Sequence, residues 1–123
     1  MSAAPGPVPG AIQGYHAHVY FDADTRDPAR RVREAVLERF TVDMGRWWEK
    51  PVGPHPCWSY QIAFKPELFP EIVPWLMQHA EGLTVFIHPE SGDELRDHRD
   101  FALWIGKQVD LKLAMFEKDR TAA

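Results

Sequence analysis

The spacing of apolar and polar residues along the chain predicts four β-strands. Alternation and a high content of valine and aromatic residues indicate strands over Tyr15–Phe21 (YHAHVYF) and Trp58–Phe64 (WSYQIAF). A third apolar run, residues 83–88 (LTVFIH), has the same character. A shorter strand is expected over residues 41–44. Together these segments could form one small sheet.

Two helices are predicted between these strands, because apolar residues there recur at intervals of three or four. The first is expected to begin with Asp27 as its N-cap and Pro28 at its first helical position. The second is expected to begin at Pro66 and to be kinked or interrupted at Pro74. Gly82 follows it as a C-terminal cap.

The order of these elements, β-α-β-β-α-β, is that of an α+β, ferredoxin-like fold. Such a fold has a four-stranded antiparallel sheet with two helices on one face. A short helix over residues 97–105, ending at Gly106, and an edge strand over residues 111–116 are expected to be appended to it. In this topology, the end of the last core strand lies beside the start of the first.

The sheet face away from the helices is predicted to carry histidines. Side chains alternate between the two faces of a strand, so His16, His18 and Tyr20 share the face opposite the more apolar set. His88 ends the last core strand on the same open face. Because neighbouring strands are about 4.8 Å apart, three imidazoles could converge within reach of one metal ion. The alternative is that these are surface or interface histidines bound by water.

His55 lies in a loop with two prolines and a glycine, residues 53–56 (GPHP), which is stiff enough to hold a functional group in place. This loop enters the middle strand at the end of the sheet that is far from His88. To join the other histidines it has to fold back over the open face, and it is equally interpretable as a turn without function. His98 is a candidate acid or base, and Asp97 beside it is a candidate N-cap.

Composition narrows the class of protein. The chain has 123 residues, a net charge of −4 and a single cysteine. It is predicted to form one domain over residues 13–117, between a flexible Pro/Gly-rich tail (1–12) and a loose C-terminal tail (118–123). The charge argues against nucleic-acid binding, and no apolar run approaches the roughly 18 residues of a membrane span. The lone thiol and the lack of a signal-peptide pattern favour the cytoplasm.

Five motifs, taken together, resemble the DOPA 4,5-dioxygenase family. They occur in order at residues 15–22 (YHAHVYFD), 51–56 (PVGPHP), 73–76 (VPWL), 83–98 (LTVFIHPESGDELRDH) and 104–106 (WIG). They span nearly the whole chain outside the tails. The resemblance implies a fold similar to the ferredoxin-like one. It also implies extradiol opening of a catechol ring, DOPA being the substrate of the founding fungal activity.

The resemblance further implies site residues, since His18, His55, His88 and His98 fall in the family's histidine motifs. We therefore predict that His18, His55 and His88 bind Fe(II), in a site that Zn²⁺ or another divalent ion could also fill. His16 or His98 is then the histidine that does not bind the metal but takes a proton from the catechol.

Tyr20 and Gln61, on the open face, are predicted to orient the substrate or O2. The usual extradiol iron site has two histidines and one carboxylate. A three-histidine site is the alternative here. The possible carboxylates are Asp22, Asp93, Asp97 and Glu49.

Two other functions are compatible with this scaffold. One is a non-catalytic module that binds a small molecule or a metal, and the other is a cofactor-free monooxygenase of the dimeric α+β barrel type. Phe86 and Tyr20 would leave the open face partly apolar in a monomer, so we expect a homodimer that covers part of it. The expected partners are a small aromatic substrate, O2 and a second copy of the chain, with no nucleic acid and no membrane.

Overall fold

The computed structural model describes the backbone of residues 11–121 and the side chains up to residue 117. Most of the predicted N-terminal tail (1–12) and the last two residues of the predicted C-terminal tail lie outside the described residues. The helices and strands are, in chain order, β1 Tyr15–Phe21, α1 Arg26–Arg39, β2 Asp43–Met44, β3 Trp58–Phe64, α2 Phe69–His79, β4 Thr84–Pro89, α3 Glu94–His98, β5 Leu103–Ile105 and α4 Ala114–Thr121.

The strands form one antiparallel sheet in the order β2-β3-β1-β4-β5. Its first four strands in chain order are connected with α1 and α2 as β-α-β-β-α-β, which confirms the predicted ferredoxin-like fold. Buried residues of both helices and alternate residues of the sheet form one core, which includes Val19, Val32, Ile62, Ile72 and Val85. Loops and the C-terminal segment cover part of the other face of the sheet.

The pairing of β1 with β4 decides which side chains meet on this open face. His16 lies opposite His88, and His18 lies opposite Phe86. On the other side of β1, His18 lies opposite Gln61 of β3. The end of β4 is therefore beside the start of β1, as the topology predicted, and the histidines of both strands share a face.

The first helical segment begins before its predicted N-cap, Asp27. The side chain of Asp22 accepts hydrogen bonds from the backbone N–H groups of Asp24 and Thr25, and the Thr25 hydroxyl accepts one from the Asp22 N–H. This reciprocal capping starts a 3-10 turn at Ala23–Thr25, and α1 follows directly. Asp27 lies in the first turn of α1 instead of at its N-cap, because Asp22 already caps the segment.

Helix α2 passes through Pro74 without the predicted interruption, after a 3-10 turn at Pro66–Leu68. A proline within a helix cannot donate to the carbonyl of the residue one turn before it, which here is Pro70. Both prolines are exposed, so water can hydrogen-bond this carbonyl. Beyond the helix, Gly82 has a φ of 82° and turns the chain toward β4, a conformation that glycine adopts without steric cost.

The C-terminal part of the chain differs from the prediction. The helix expected over residues 97–105 is divided between α3 and the edge strand β5, which pairs with β4. Residues 111–116, expected as an edge strand, instead lead into helix α4. Helix α4 continues into the predicted C-terminal tail. Among the described residues, no helix is long and apolar enough to cross a membrane.

Helix α3 starts early because Asp93, and not Asp97, caps it. The Asp93 carboxylate accepts a hydrogen bond from the backbone N–H of Arg96. The Asp97 carboxylate instead accepts two hydrogen bonds from Ser91, one from its backbone N–H at 2.9 Å and one from its hydroxyl at 2.5 Å. Asp97 is almost fully buried, so these bonds fix the turn that joins β4 to α3.

A buried hydrogen bond joins the sheet to α1 and provides a test of the core. Tyr60 is fully buried in β3, and its hydroxyl donates to the carbonyl of Ala29 at 2.8 Å. Tyr60→Phe is expected to lower the free energy of unfolding by about 1–2 kcal/mol, because the buried carbonyl loses this partner. Urea unfolding measures the change, with Tyr15→Phe, whose ring stacks on Phe64, as the control. Equal losses in the two variants would contradict this account.

Candidate metal centre

Three histidines from two neighbouring strands converge on the open face. His16 and His18 come from β1 and His88 comes from β4. One ring nitrogen from each lies within 4.8 Å of the other two. We call these three residues the histidine trio. Its position follows from the pairing of β1 with β4, and the sequence had predicted it from the alternation within each strand and from the topology.

The spacing within the histidine trio fits a metal ion. The Nε2 atoms of His18 and His88 are 3.2 Å apart. Two nitrogens bound at about 2.0–2.1 Å to one ion, at angles between octahedral and tetrahedral, are separated by about 2.8–3.4 Å. Nδ1 of His88 donates to the carbonyl of Pro89 at 2.8 Å, so its Nε2 carries the lone pair. The donor set and its geometry therefore fit a divalent transition metal.

Burial keeps these imidazoles in the neutral form that binds metals. Burial, reinforced by neighbouring imidazoles, lowers the pKa of His88 to about 3 and that of His55 to about 4, from an ordinary 6.5. For the same two reasons, the pKa of His18 lies well below its usual value. Burial also lowers the pKa of His16, although the Glu90 carboxylate acts in the opposite direction. A metal ion at this site would therefore meet little competition from protons at neutral pH.

The loop with His55 folds back over the open face. The ring centroid of His55 lies 4.1 Å from that of His18, and its Nδ1 is 2.7 Å from the Tyr20 hydroxyl. The carbonyl of Pro54 accepts the backbone N–H of Lys112 at 2.9 Å, which ties the loop to the C-terminal segment. His55 is thus beside the histidine trio without being one of the three, and its role as a ligand stays a prediction.

His98 lies beside His88, at the end of α3. The ring centroids of the two are 4.0 Å apart, and the ring of Phe116 stacks on His98 at 4.4 Å. Nδ1 of His98 is 2.7 Å from the carbonyl of Glu94 and donates to it, which leaves Nε2 as the nitrogen with a free lone pair. The structure therefore places His98 next to the cluster with one nitrogen able to accept a proton.

Three aromatic residues, absent from our sequence-based site, enclose the histidines. Phe86 is fully buried, with its ring 5.7 Å from that of His18 and 4.6 Å from that of Trp104. Phe116 covers His98 from helix α4. Alternation along β4 had already placed Phe86 on the histidine face, although not as part of the site. No pattern in the sequence indicates where Phe116 lies.

Tyr20 and Gln61, the residues predicted to orient the substrate, differ in burial and in their neighbours. Tyr20 is buried, and its hydroxyl is hydrogen-bonded to His55. Its pKa is raised, first by burial and then by the Cys57 thiol, so the phenol is neutral. Gln61 is half-buried on β3, opposite His18. Both roles stay predictions.

The carboxylate that contacts the histidine trio is not one of the four considered from the sequence. The Glu90 carboxylate contacts Nε2 of His16, a member of the histidine trio. The four earlier candidates each bond to another part of the fold: Asp22 to the backbone of Asp24 and Thr25, Glu49 to Arg26 and Trp47, Asp93 to the N–H of Arg96, and Asp97 to Ser91.

The fold and the site define a small α+β protein of ferredoxin-like topology, with a buried histidine cluster that could bind a metal ion. The model of the Dopa 4,5-dioxygenase family matches residues 15–115. The chain belongs to this family, as its motifs had indicated.

Similar proteins agree with this assignment. A proposed dioxygenase from Nostoc punctiforme PCC 73102, known from a crystal structure, is 50% identical and superposes with a TM-score of 0.83, covering 91% of this chain and 95% of that one. The DOPA 4,5-dioxygenase of Amanita muscaria is 34% identical over 84% of this chain and 49% of its own length. An uncharacterized 21.2 kDa protein of Botryotinia fuckeliana is 32% identical over 91% of this chain and 68% of its own. The chain thus spans about half of the Amanita enzyme.

Proposed function

We propose that this protein is a metal-dependent extradiol dioxygenase that cleaves the ring of DOPA or a related catechol. The observation that carries the proposal is the approach of the Nε2 atoms of His18 and His88 to 3.2 Å, with His16 completing the trio. Membership of the family supports the dioxygenase reaction, and the name of the Amanita relative supports a catechol substrate.

We propose Fe(II) as the native metal, with Zn²⁺ or another divalent ion able to fill the site in a purified sample. His16, His18 and His88 would hold it, and His55 is the further candidate for a ligand. When bound, the iron would supply the chemistry that lets a catechol and O2 react with each other. Neutral nitrogen donors suit a ferrous ion, and the low pKa values of His18 and His88 keep these donors free of protons.

His98 is the group best placed to move the catechol proton. Its Nδ1 is held by the carbonyl of Glu94, so Nε2 can accept a proton while the ring keeps its orientation. The rings of Phe116 and His88 both pack against the His98 ring, which limits its rotation. His16, the other predicted proton acceptor, already contacts Glu90 through its Nε2. We therefore assign the base to His98.

The remaining residues around the histidines orient the substrate and exclude water. Trp104 is partly exposed and stacks on the buried Phe86, whose ring lies beside His18, so Trp104 would offer an aromatic surface to the substrate ring. Tyr20 holds His55 in place through its hydroxyl. Gln61, as predicted from the sequence, would orient the substrate or O2 from β3.

The proposed assembly is a homodimer in the cytoplasm. The sequence predicted a dimer because Phe86 and Tyr20 would be exposed on the open face of a monomer. Both are buried within the chain, at 0% and 3% exposure, because loops and the C-terminal segment cover this face. A dimer interface would therefore use other surfaces, and light scattering of the purified protein tests whether it forms.

Oxygen uptake by the Fe(II)-loaded protein tests the proposed reaction. The protein is reconstituted without air and mixed with a panel of catechols that includes DOPA and caffeic acid. We expect O2 consumption with a yellow ring-opened product, lost on chelation and restored by Fe(II). Uptake that persists after complete removal of metal would favour a cofactor-free monooxygenase. Bound iron without uptake for any catechol would favour a binding module.

A further inference from the structure

Glu90 extends the histidine face by one more position. It follows His88 by two residues, so alternation places it on the same side of the sheet. Its backbone N–H donates to the carbonyl of Gly14 at 2.8 Å, and its carbonyl accepts the N–H of Gln13 at 2.9 Å. These bonds continue the pairing of β1 with β4 and fix the Glu90 backbone beside His16.

The contact between Glu90 and His16 has a consequence for the histidine. A neutral imidazole has one N–H and one lone pair. A carboxylate only accepts hydrogen bonds, so Nε2 of His16, which contacts it, must carry the hydrogen. The lone pair then lies on Nδ1. His18 and His88 differ in this respect, because they approach each other through Nε2.

We propose that Glu90 is a positioning residue that selects the Nδ1 lone pair of His16 as a metal donor. The inference rests on the proposed function, since it takes the histidine trio as the metal site. Histidine ligands generally donate their second N–H to a carboxylate, a carbonyl or water, which fixes the tautomer and strengthens the donor. The carbonyl of Pro89 does this for His88, and Glu90 does it for His16. The carboxylate sought in the sequence is thus a partner of a ligand.

Glu90 also changes the charge of the centre. Three neutral histidines around a divalent cation leave two positive charges within a largely buried site, which is costly without a nearby anion. The Glu90 side chain is 43% exposed and that of His16 is 25% exposed, so the pair lies at the rim of the cluster. There the carboxylate offsets one charge while remaining hydrated itself.

Binding of Co²⁺ by the full chain tests this role without any turnover. Its visible absorption reports the ligand geometry, and competition with a chelator gives its dissociation constant. Glu90→Ala should weaken Co²⁺ binding by about 10–100-fold and alter the spectrum, as expected for loss of a partner of a ligand. Glu90→Gln keeps an oxygen that accepts the N–H of His16, so it should recover most of the affinity. Glu38→Ala, at an exposed site on α1, is the matched control.

Nitrogen NMR of the metal-free protein tests the tautomer directly. The wild-type protein should show the hydrogen of His16 on Nε2, and Glu90→Ala should lose this preference. Hydrogen on Nδ1 in the wild type, or unchanged Co²⁺ affinity in Glu90→Ala, would overturn the role of Glu90 alone. A wild-type protein that binds no Co²⁺ would overturn the metal site and the proposed function with it. Thermal unfolding of each variant checks that the fold is intact.

Discussion

The His88→Ala protein is expected to lose metal binding, with a dissociation constant raised by more than about 100-fold. This limit is the upper end of the effect of removing an outer partner of a ligand, and removing a ligand itself should exceed it. His88 contributes the Nε2 atom at 3.2 Å from that of His18, and its ring is fixed by the carbonyl of Pro89. Without it, two of the three converging donors remain. Oxygen uptake with catechols should be lost in parallel.

The control for this substitution is His79→Ala. His79 is exposed at the end of α2, and its Nδ1 bonds to the carbonyl of Trp75, away from the histidine trio. It should leave the metal affinity unchanged. Because His88 is buried, the alanine variant also leaves a cavity. Unfolding of the metal-free variants, with His88→Gln as a larger replacement, separates loss of fold from loss of a ligand. A His88→Ala protein that is folded and binds metal as tightly as the wild type would refute the assignment.

The metal-free protein is expected to lose about 4 kcal/mol of stability when the pH falls from about 7.5 to about 5. The pKa values of His88 and His55 in the folded protein are about 3 and about 4, against 6.5 for an ordinary histidine. Between the folded and the unfolded pKa values, the unfolded chain binds more protons than the folded one. The contribution of these histidines to the free energy of unfolding is therefore fully present above the unfolded pKa and decreases as the pH falls below it.

Each of these two histidines accounts for about 2 kcal/mol at pH 5, because one pKa unit corresponds to about 1.4 kcal/mol. His18 acts in the same direction, since its pKa is lowered too. Urea unfolding in the presence of a chelator, at a series of pH values, measures the slope. His55→Gln cannot take up the proton and should remove about 2 kcal/mol of the loss. A stability that is constant between pH 7.5 and 5 would show that these histidines are not buried as neutral groups.

The sheet could be predicted well because apolar and polar residues alternate within its longer strands. Alternation over Tyr15–Phe21 gave both the bounds of β1 and the face of each side chain. The topology then determined that His16 would lie near His88, which the register confirms. The C-terminal elements show no such alternation. Strand β5 has only three residues, and it exists because it pairs with β4.

The site was predictable only where it depends on the sheet. The histidine trio followed from two strands, and counting by twos beyond His88 would also have found Glu90. The place of His55 depends on a loop whose path nothing in the sequence requires. Phe116 reaches His98 through residues 107–113, which have no regular structure and no repeating pattern. Such contacts depend on the packing of the whole chain.

The hydrogen bond between Pro54 and Lys112 links the two segments that cover the site. The His55 loop is one covering, and the segment that brings Phe116 onto His98 is the other. Moving one covering without the other would break this bond, at a cost of about 1 kcal/mol. A change in the C-terminal segment is therefore expected to affect how His55 is held beside the histidine trio as well.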